Sequence, residues 1–287
     1  MKYITDTGPH VHSIVNLKVN NFIKAAGLIM IVASLIFSVM PALSWYVNSV
    51  IAGLLFYGCN LLDNMFNKKQ EFKDAARPNV GLIAGIIWII LFMPITSNIL
   101  LMLFCIITGY LISIGVNKLL DKELLNKGLV ISLIMVFLCF LGKLEGTSII
   151  LLKTSGAMIY GYFFVSIIFL LTLLLGRNMK WRLMLGSMLS LLFILTIAVV
   201  LGITTFCYVL SPEYIGPFIL LLVILLVTSE QTPVRKPSKW LLGLITAIIF
   251  TISGSMLPIA LSVLITVNIC LALGTYLDLI KYPVRKV

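Results

Sequence analysis

Long apolar runs fill most of the chain, and short polar segments separate them. A helix that spans a bilayer needs about 20 apolar residues, with a range of about 17 to 25. Ten runs come close to that length, and the link between the last two is only Ser255 to Pro258. The predicted spans are residues 21–40, 42–62, 79–95, 97–117, 128–142, 156–176, 183–209, 214–229, 238–256 and 258–277. The pattern predicts one all-α, polytopic membrane domain over residues 1–287, a bundle of nine or ten transmembrane helices with a short polar tail at residues 1–20.

Composition agrees with a membrane protein and excludes a water-soluble one. The chain is 61% hydrophobic and only 11% charged, whereas soluble domains carry about 25% charged residues. Lys and Arg together number 21 against 10 acidic residues, a net charge of +11. In a membrane protein such an excess marks cytoplasmic loops, so membrane lipid rather than nucleic acid is the expected partner. The five cysteines are far apart inside apolar runs and form no disulfide framework or zinc pattern.

The basic residues concentrate in four links, after the second, fourth, sixth and eighth predicted spans. These residues are Lys68, Lys69, Lys73, Arg77, Lys118, Lys122, Lys127, Arg177, Lys180, Arg182, Arg235, Lys236 and Lys239. The intervening links carry only Lys143 and Lys153. Because basic loops stay in the cytoplasm, this distribution predicts a multi-pass protein of the cell membrane with a cytoplasmic N-terminus.

A group of polar side chains ends the second predicted helix. Asn60, Asp63 and Asn67 are spaced i, i+3 and i+7, so a helix places them on one face. Three oxygen-bearing side chains at a membrane boundary suit a hard cation such as Mg²⁺. Lys73 and Arg77 follow in the loop, and basic side chains suit phosphate oxygens. A polar helix end followed by a solvated basic loop explains the same residues without any ligand.

The same segment resembles the UbiA superfamily of intramembrane prenyltransferases. An Asn-x-x-Asp-x-x-x-Asn pattern ends the second predicted helix, Arg77 and Pro78 follow ten residues later, and a third apolar helix comes directly after. The order of basic loops and Asn126 before a glycine-led fifth helix are also similar. The resemblance implies a helical bundle around a central cavity that is open to lipid. It also implies transfer of a prenyl group from a prenyl diphosphate to an acceptor, with Mg²⁺ ions held by two Asp-rich motifs.

The resemblance assigns a role to each residue of the two motifs. Asn60, Asp63 and Asn67 would be the catalytic and metal-binding residues of the first motif. The acceptor is not identified by the sequence, and quinone precursors, other small molecules and lipids all belong to the family's range.

The chain departs from the family pattern at both motifs. Asn67 stands where the first motif has an acidic residue. The second Asp-rich motif should follow the sixth helix, but Asn178, Arg182 and Gly186 occupy its acidic positions, and no Asp or Glu occurs within residues 146–212. The acidic residues that would hold two metal ions are therefore absent, and one Mg²⁺ at most is expected.

Three explanations of this departure stay open. In the first, Arg177, Lys180 and Arg182 replace the second metal and face Lys73 and Arg77 across the mouth of the cavity, so that diphosphate is neutralised directly or with one Mg²⁺. In the second, the scaffold has lost the chemistry and the protein is a non-catalytic lipid-binding or accessory membrane protein. In the third, the basic residues are ordinary cytoplasmic loop residues. A small transporter fits least, because intramembrane ionisable residues and broken helices are few.

The first explanation places both motifs around one pocket. It predicts that Asn60, Asp63 and Asn67 line one cavity wall and lie near the second motif. The diphosphate-binding residues in this prediction are Lys73, Arg77, Arg177, Asn178, Lys180 and Arg182.

The charge distribution predicts ten spans with both termini in the cytoplasm. Of the 21 basic residues, 19 fall on one side: three near the N-terminus, thirteen in four loops and three at the C-terminus. An epitope tag at either end should therefore be accessible only after the membrane is permeabilised. A C-terminal tag that antibodies reach in intact cells would contradict this topology.

Overall fold

The computed structural model describes residues 14–39, 43–66, 71–76, 80–94, 99–119, 125–141, 167–168, 181–203, 212–227 and 236–280. Its helices are α1 (Ile14–Val39), α2 (Leu43–Phe66), α3 (Phe72–Ala75), α4 (Val80–Leu91), α5 (Ile99–Leu119), α6 (Lys127–Leu141), α7 (Trp181–Val200), α8 (Pro212–Val227), α9 (Lys236–Met256) and α10 (Ile259–Ile280). Within these ranges there are nine helices longer than one turn and no β-strand. The prediction of an all-helical chain is confirmed for the described residues.

Among the described residues, four helices are long and apolar enough to cross a membrane. They are Leu43–Phe66, Ile99–Leu119, Trp181–Val200 and Pro237–Met256. The other helices longer than one turn contain shorter apolar segments at the predicted positions. These features indicate a membrane protein. The predicted sixth span, 156–176, lies outside the described residues except for a helical pair at 167–168, and the central cavity stays a prediction.

The seventh predicted span is interrupted before its predicted C-terminal end. The sequence predicts a helix over residues 183–209, but α7 ends at Val200, and residues 204–209 lie outside the described residues. Gly202 has a φ of 70°, and the amide groups of Gly202 and Ile203 donate to the carbonyl groups of Val199 and Ala198 at 3.0 and 2.9 Å. This is the left-handed cap that glycine favours, and it stops the helix although the sequence remains apolar.

The chain divides into two compact units. One comprises Lys24–Val165 and contains α2 to α6; the other comprises Met1–Ile23 with Ser166–Val287 and contains α7 to α10. In the Lys24–Val165 unit, α2 packs on α4 and α5, and α6 packs on the same two helices. Helix α6 is thereby held in the same packed group as α2.

Glycine allows α4 and α6 to approach closely in the Lys24–Val165 unit. A Cβ atom on Gly128 would lie 2.5 Å from the Cα atom of Gly85 and 2.8 Å from its carbonyl oxygen. Small residues at helix crossings are the usual means of close packing in membranes. The contact fixes the first turn of α6 against α4.

In the other unit, α9 and α10 form an antiparallel hairpin. The Thr246 hydroxyl contacts the Cys270 thiol at 3.3 Å, and Ser253 contacts Thr266 at 3.4 Å. The second contact lies further along α9 but earlier along α10, so the helices run in opposite directions. The predicted break before Pro258 is therefore a turn between two helices, as the sequence indicated.

The crossing at Gly128 should not tolerate a side chain. Replacing Gly128 with alanine places a methyl group against backbone atoms of Gly85, which cannot rotate away, and should destabilise the protein by about 1–3 kcal/mol. Unfolding in detergent micelles measures this. Gly115→Ala is the matched control, because nothing lies within 4 Å of its Cβ position. Equal stability of Gly128→Ala and Gly115→Ala would contradict the crossing.

Candidate functional site

The inner face of α2 leads directly to the predicted motif. Trp45, Ser49, Ala52 and Phe56 are buried and recur every three or four residues. The same helical face continues to Asp63, whose side chain is only 7% exposed. The carboxylate of Asp63 therefore lies on the buried face of α2, near the end of the helix.

Lys127, the first residue of α6, meets this carboxylate. Its Nζ atom lies 2.5 Å from Oδ2 of Asp63, although the two residues are 64 positions apart in the sequence. The lysine side chain is 21% exposed and therefore reaches the surface of the cluster. A buried charge without a partner is strongly unfavourable, so this ion pair permits Asp63 to lie among the packed helices α2, α4, α5 and α6. It also links α2 to α6.

Tyr110 of α5 completes the network. Lys127 Nζ also donates to the Tyr110 hydroxyl at 3.1 Å, and that hydroxyl donates to Oδ1 of Asn60 at a longer 3.5 Å. The ammonium lies 4.8 Å from the centre of the tyrosine ring, a cation–π contact. Asn60, Asp63, Tyr110 and Lys127 form what we call the polar cluster.

The link between α5 and α6 holds Lys127 in place. Asn117 donates from Nδ2 to the carbonyl group of Leu125 at 3.0 Å and accepts from the amide group of Leu125 at 2.9 Å. Asn126 Oδ1 accepts from the amide groups of Gly128 and Leu129 at 3.1 and 3.4 Å and so caps the start of α6. A lysine at a helix start is opposed by the helix dipole, so Asp63 rather than the helix favours this position.

Two of the predicted site residues lie in the polar cluster. Asn60 accepts from Tyr110 of α5, and Asp63 pairs with Lys127 of α6. Lys73 lies on α3. The predicted residues Asn67, Arg77, Arg177, Asn178 and Lys180 lie outside the described residues. Their assembly around one cavity stays a prediction.

Arg182 is described on α7. Its guanidinium group lies 4.4 Å from the centre of the Trp181 ring, and Trp181 contacts Trp240 edge-on at 6.4 Å. The arginine therefore contacts an aromatic pair at the start of α7.

Sequence reasoning missed two members of the polar cluster. Lys127 was grouped with the other basic loop residues, and Tyr110 was not singled out from its apolar span. The available signal was that Lys127 lies between Asn126, which has the chemistry of a helix cap, and the apolar run of α6. Which side chain it meets depends on the packing of α2, α5 and α6.

The residues of the cluster do not fit a Mg²⁺ ion as they are arranged. Oδ2 of Asp63 accepts from Lys127, and Oδ1 of Asn60 accepts from Tyr110. An ammonium group therefore lies where a cation would bind the carboxylate. Across the described part of the chain, no group of three His, Cys, Asp or Glu residues could hold a metal ion.

No model of a known protein family matches the chain, and no curated protein matches it at a significant level. The resemblance to the UbiA superfamily stays a prediction that rests on the Asn60–Asn67 motif and the order of the basic loops. The chemistry of the polar cluster is the additional information that the structure supplies.

The ion pair makes a testable contribution to stability. Lys127→Met leaves the Asp63 carboxylate without this partner and should destabilise the protein by about 3 kcal/mol, near the low end for buried pairs because the lysine is partly exposed. Adding Asp63→Asn should recover most of that loss, because the pair is then neutral. Detergent-based unfolding of both single variants and the double variant measures the coupling. A double variant no more stable than Lys127→Met would contradict a direct interaction.

Proposed function

We propose that the protein transfers a prenyl group from a prenyl diphosphate to an unidentified acceptor, as members of the UbiA superfamily do. The observation that carries the proposal is the polar cluster, where a cationic side chain lies beside Asp63 and Asn60 of the UbiA-like motif. A departing diphosphate concentrates negative charge, and preorganised cations stabilise such charge as it develops.

The reaction requires the protein to bind the diphosphate and to exclude water from the prenyl cation. The bond between the prenyl carbon and the diphosphate oxygen breaks, and its electron pair leaves with the diphosphate. The acceptor then bonds to the allylic carbon and releases a proton. Lys127 would neutralise the leaving group within its own unit. The resemblance implies the same role for the predicted diphosphate-binding residues Lys73, Arg77, Arg177, Asn178, Lys180 and Arg182.

Magnesium has a limited place in this proposal. The resemblance implies one ion at most at Asn60, Asp63 and Asn67, but the cluster as arranged does not fit that ion, so no step of the proposed transfer depends on it. Because Lys127 already contacts the Asp63 carboxylate, an ion there requires that contact to change.

An apolar groove in the same unit suits the prenyl tail. It is an open groove of about 370 Å³ between α2 and α4, and its lining includes Val50, Gly53, Leu54, Ile86 and Ile90. Tyr57 is the lining residue of α2 that is nearest in sequence to the motif. It lies about 9 Å from Asp63 along the helix axis, at about 1.5 Å per residue. We place this end of α2 at the cytoplasmic face of the cell membrane, in agreement with the basic loop that follows.

A specific observation favours a second candidate function. Asp63 is already paired with Lys127 inside the protein, so the cluster has a complete structural explanation without a substrate. A non-catalytic lipid-binding or accessory membrane protein on a UbiA-like scaffold is therefore the alternative.

Release of pyrophosphate distinguishes the two functions. Purified protein incubated with prenyl diphosphates of several chain lengths, with and without Mg²⁺, should release pyrophosphate for at least one length when acceptors are supplied. Binding without release at every length would favour the lipid-binding alternative.

Basic residues should contribute more to substrate binding than the carboxylate does. A charge-assisted contact contributes about 1.5–3 kcal/mol, so Lys180→Ala and Arg182→Ala should each weaken prenyl diphosphate binding by about ten-fold or more. Asp63→Asn should weaken it less. Equilibrium binding to detergent-solubilised variants measures the order, and a larger loss in Asp63→Asn would contradict it.

A further inference from the structure

Lys127 is the donor from which the hydrogen bonds of the polar cluster start, and the side-chain oxygens of Asn60 and Asp63 are the acceptors at which they end. Lys127 donates to the Tyr110 hydroxyl, and the hydroxyl hydrogen then goes to Oδ1 of Asn60. A second N–H group of Lys127 goes to Oδ2 of Asp63. The carbonyl oxygen of Asn60 and this carboxylate oxygen of Asp63 are both acceptors that already receive a hydrogen bond.

Lys127 and Asn60 each have N–H donors that no described residue uses. An ammonium has three N–H groups, and Lys127 uses two of them within the described part of the chain. The amide NH₂ group of Asn60 makes no hydrogen bond to the described residues, because its carbonyl oxygen is the atom that faces Tyr110. Donors bind anions, whereas Mg²⁺ needs oxygen acceptors.

The position of the two charges also favours an anion. The Lys127 side chain is 21% exposed and the Asp63 side chain only 7%. The positively charged side chain is therefore the more accessible member of the pair. The carboxylate and the tyrosine ring both contact the ammonium.

We propose that the polar cluster is a metal-independent site for the diphosphate group. Lys127 binds the phosphate oxygens directly, Asn60 adds its amide donors, and Asp63 is a positioning residue that holds the ammonium rather than a metal ligand. The choice of diphosphate among anions rests on the proposed function. The ligand is either free pyrophosphate or the diphosphate end of a prenyl chain.

Binding measured in the presence and absence of metal tests this site. Inorganic pyrophosphate and geranylgeranyl diphosphate are titrated separately into the full-length protein in detergent, once in EDTA and once in Mg²⁺. The affinity of the wild type should change by less than about three-fold between EDTA and Mg²⁺. Equal binding of both probes identifies a site for the diphosphate alone, and binding of the prenyl compound only identifies a site that also needs the tail; each supports the proposal.

Variants distinguish the contribution of Lys127 to binding from that of Asp63. The neutral pair Asp63→Asn/Lys127→Met, which keeps the fold if the stability prediction holds, should bind at least ten-fold more weakly in EDTA. Asp63→Asn alone keeps the ammonium and should lose only about three-fold, and Lys127→Arg should bind better than Lys127→Met. Lys118→Met is the matched control, since Lys118 is exposed near the end of α5 and outside the cluster, and it should bind as the wild type does.

Several results would overturn the site. Loss of wild-type binding on chelation would show that a metal is required, and wild-type affinity in Asp63→Asn/Lys127→Met would show that Lys127 is not a ligand. Failure of the wild type to bind either probe would also overturn it. If the neutral pair still releases pyrophosphate at the wild-type rate, this inference fails while the proposed transfer stands. Strong binding in EDTA without turnover supports this inference and contradicts the transfer.

Discussion

A carboxylate inside an apolar helix bundle needs a partner, and in this protein Lys127 supplies it to Asp63. An isolated buried carboxylate is so unfavourable that it would take up a proton or draw water into the bundle. The pair therefore constrains the fold: the end of α2 and the start of α6 have to meet. The tight crossing of Gly85 and Gly128 is compatible with that meeting, because it lets the first turn of α6 come close to the neighbouring helix.

The ion pair also changes how the UbiA-like motif is interpreted. Three oxygen-bearing side chains on one helical face suggest a metal site when they are considered alone. Once Lys127 and Tyr110 are added, the oxygens of Asn60 and Asp63 serve as acceptors for the protein's own donors. An ammonium then contacts the carboxylate that the resemblance would assign to a metal. This agrees with the lack of acidic residues where the second motif is expected.

The helices could be predicted from the sequence because bilayer thickness fixes their length and leaves long apolar runs. The turn at Pro258 could be predicted because two apolar runs, each long enough for one span, meet at a short link that ends in proline. The end of α7 could not be predicted, since Gly202 stops the helix inside an apolar run. Asp63 could be found because acidic residues are rare in the chain. Its partner could not, because Lys127 lies 64 residues away and resembles any other basic residue of a cytoplasmic loop until α2, α5 and α6 are packed together.

Exchanging the charges of Asp63 and Lys127 is the sharpest test of their direct interaction. Asp63→Lys and Lys127→Asp alone each place like charges together, so both should unfold more readily than the wild type. The combined variant restores opposite charges, and an acidic residue at the start of α6 is favoured by the helix dipole. Its unfolding midpoint in detergent should therefore lie closer to the wild type than that of either single variant. A combined variant less stable than both single variants would contradict the account.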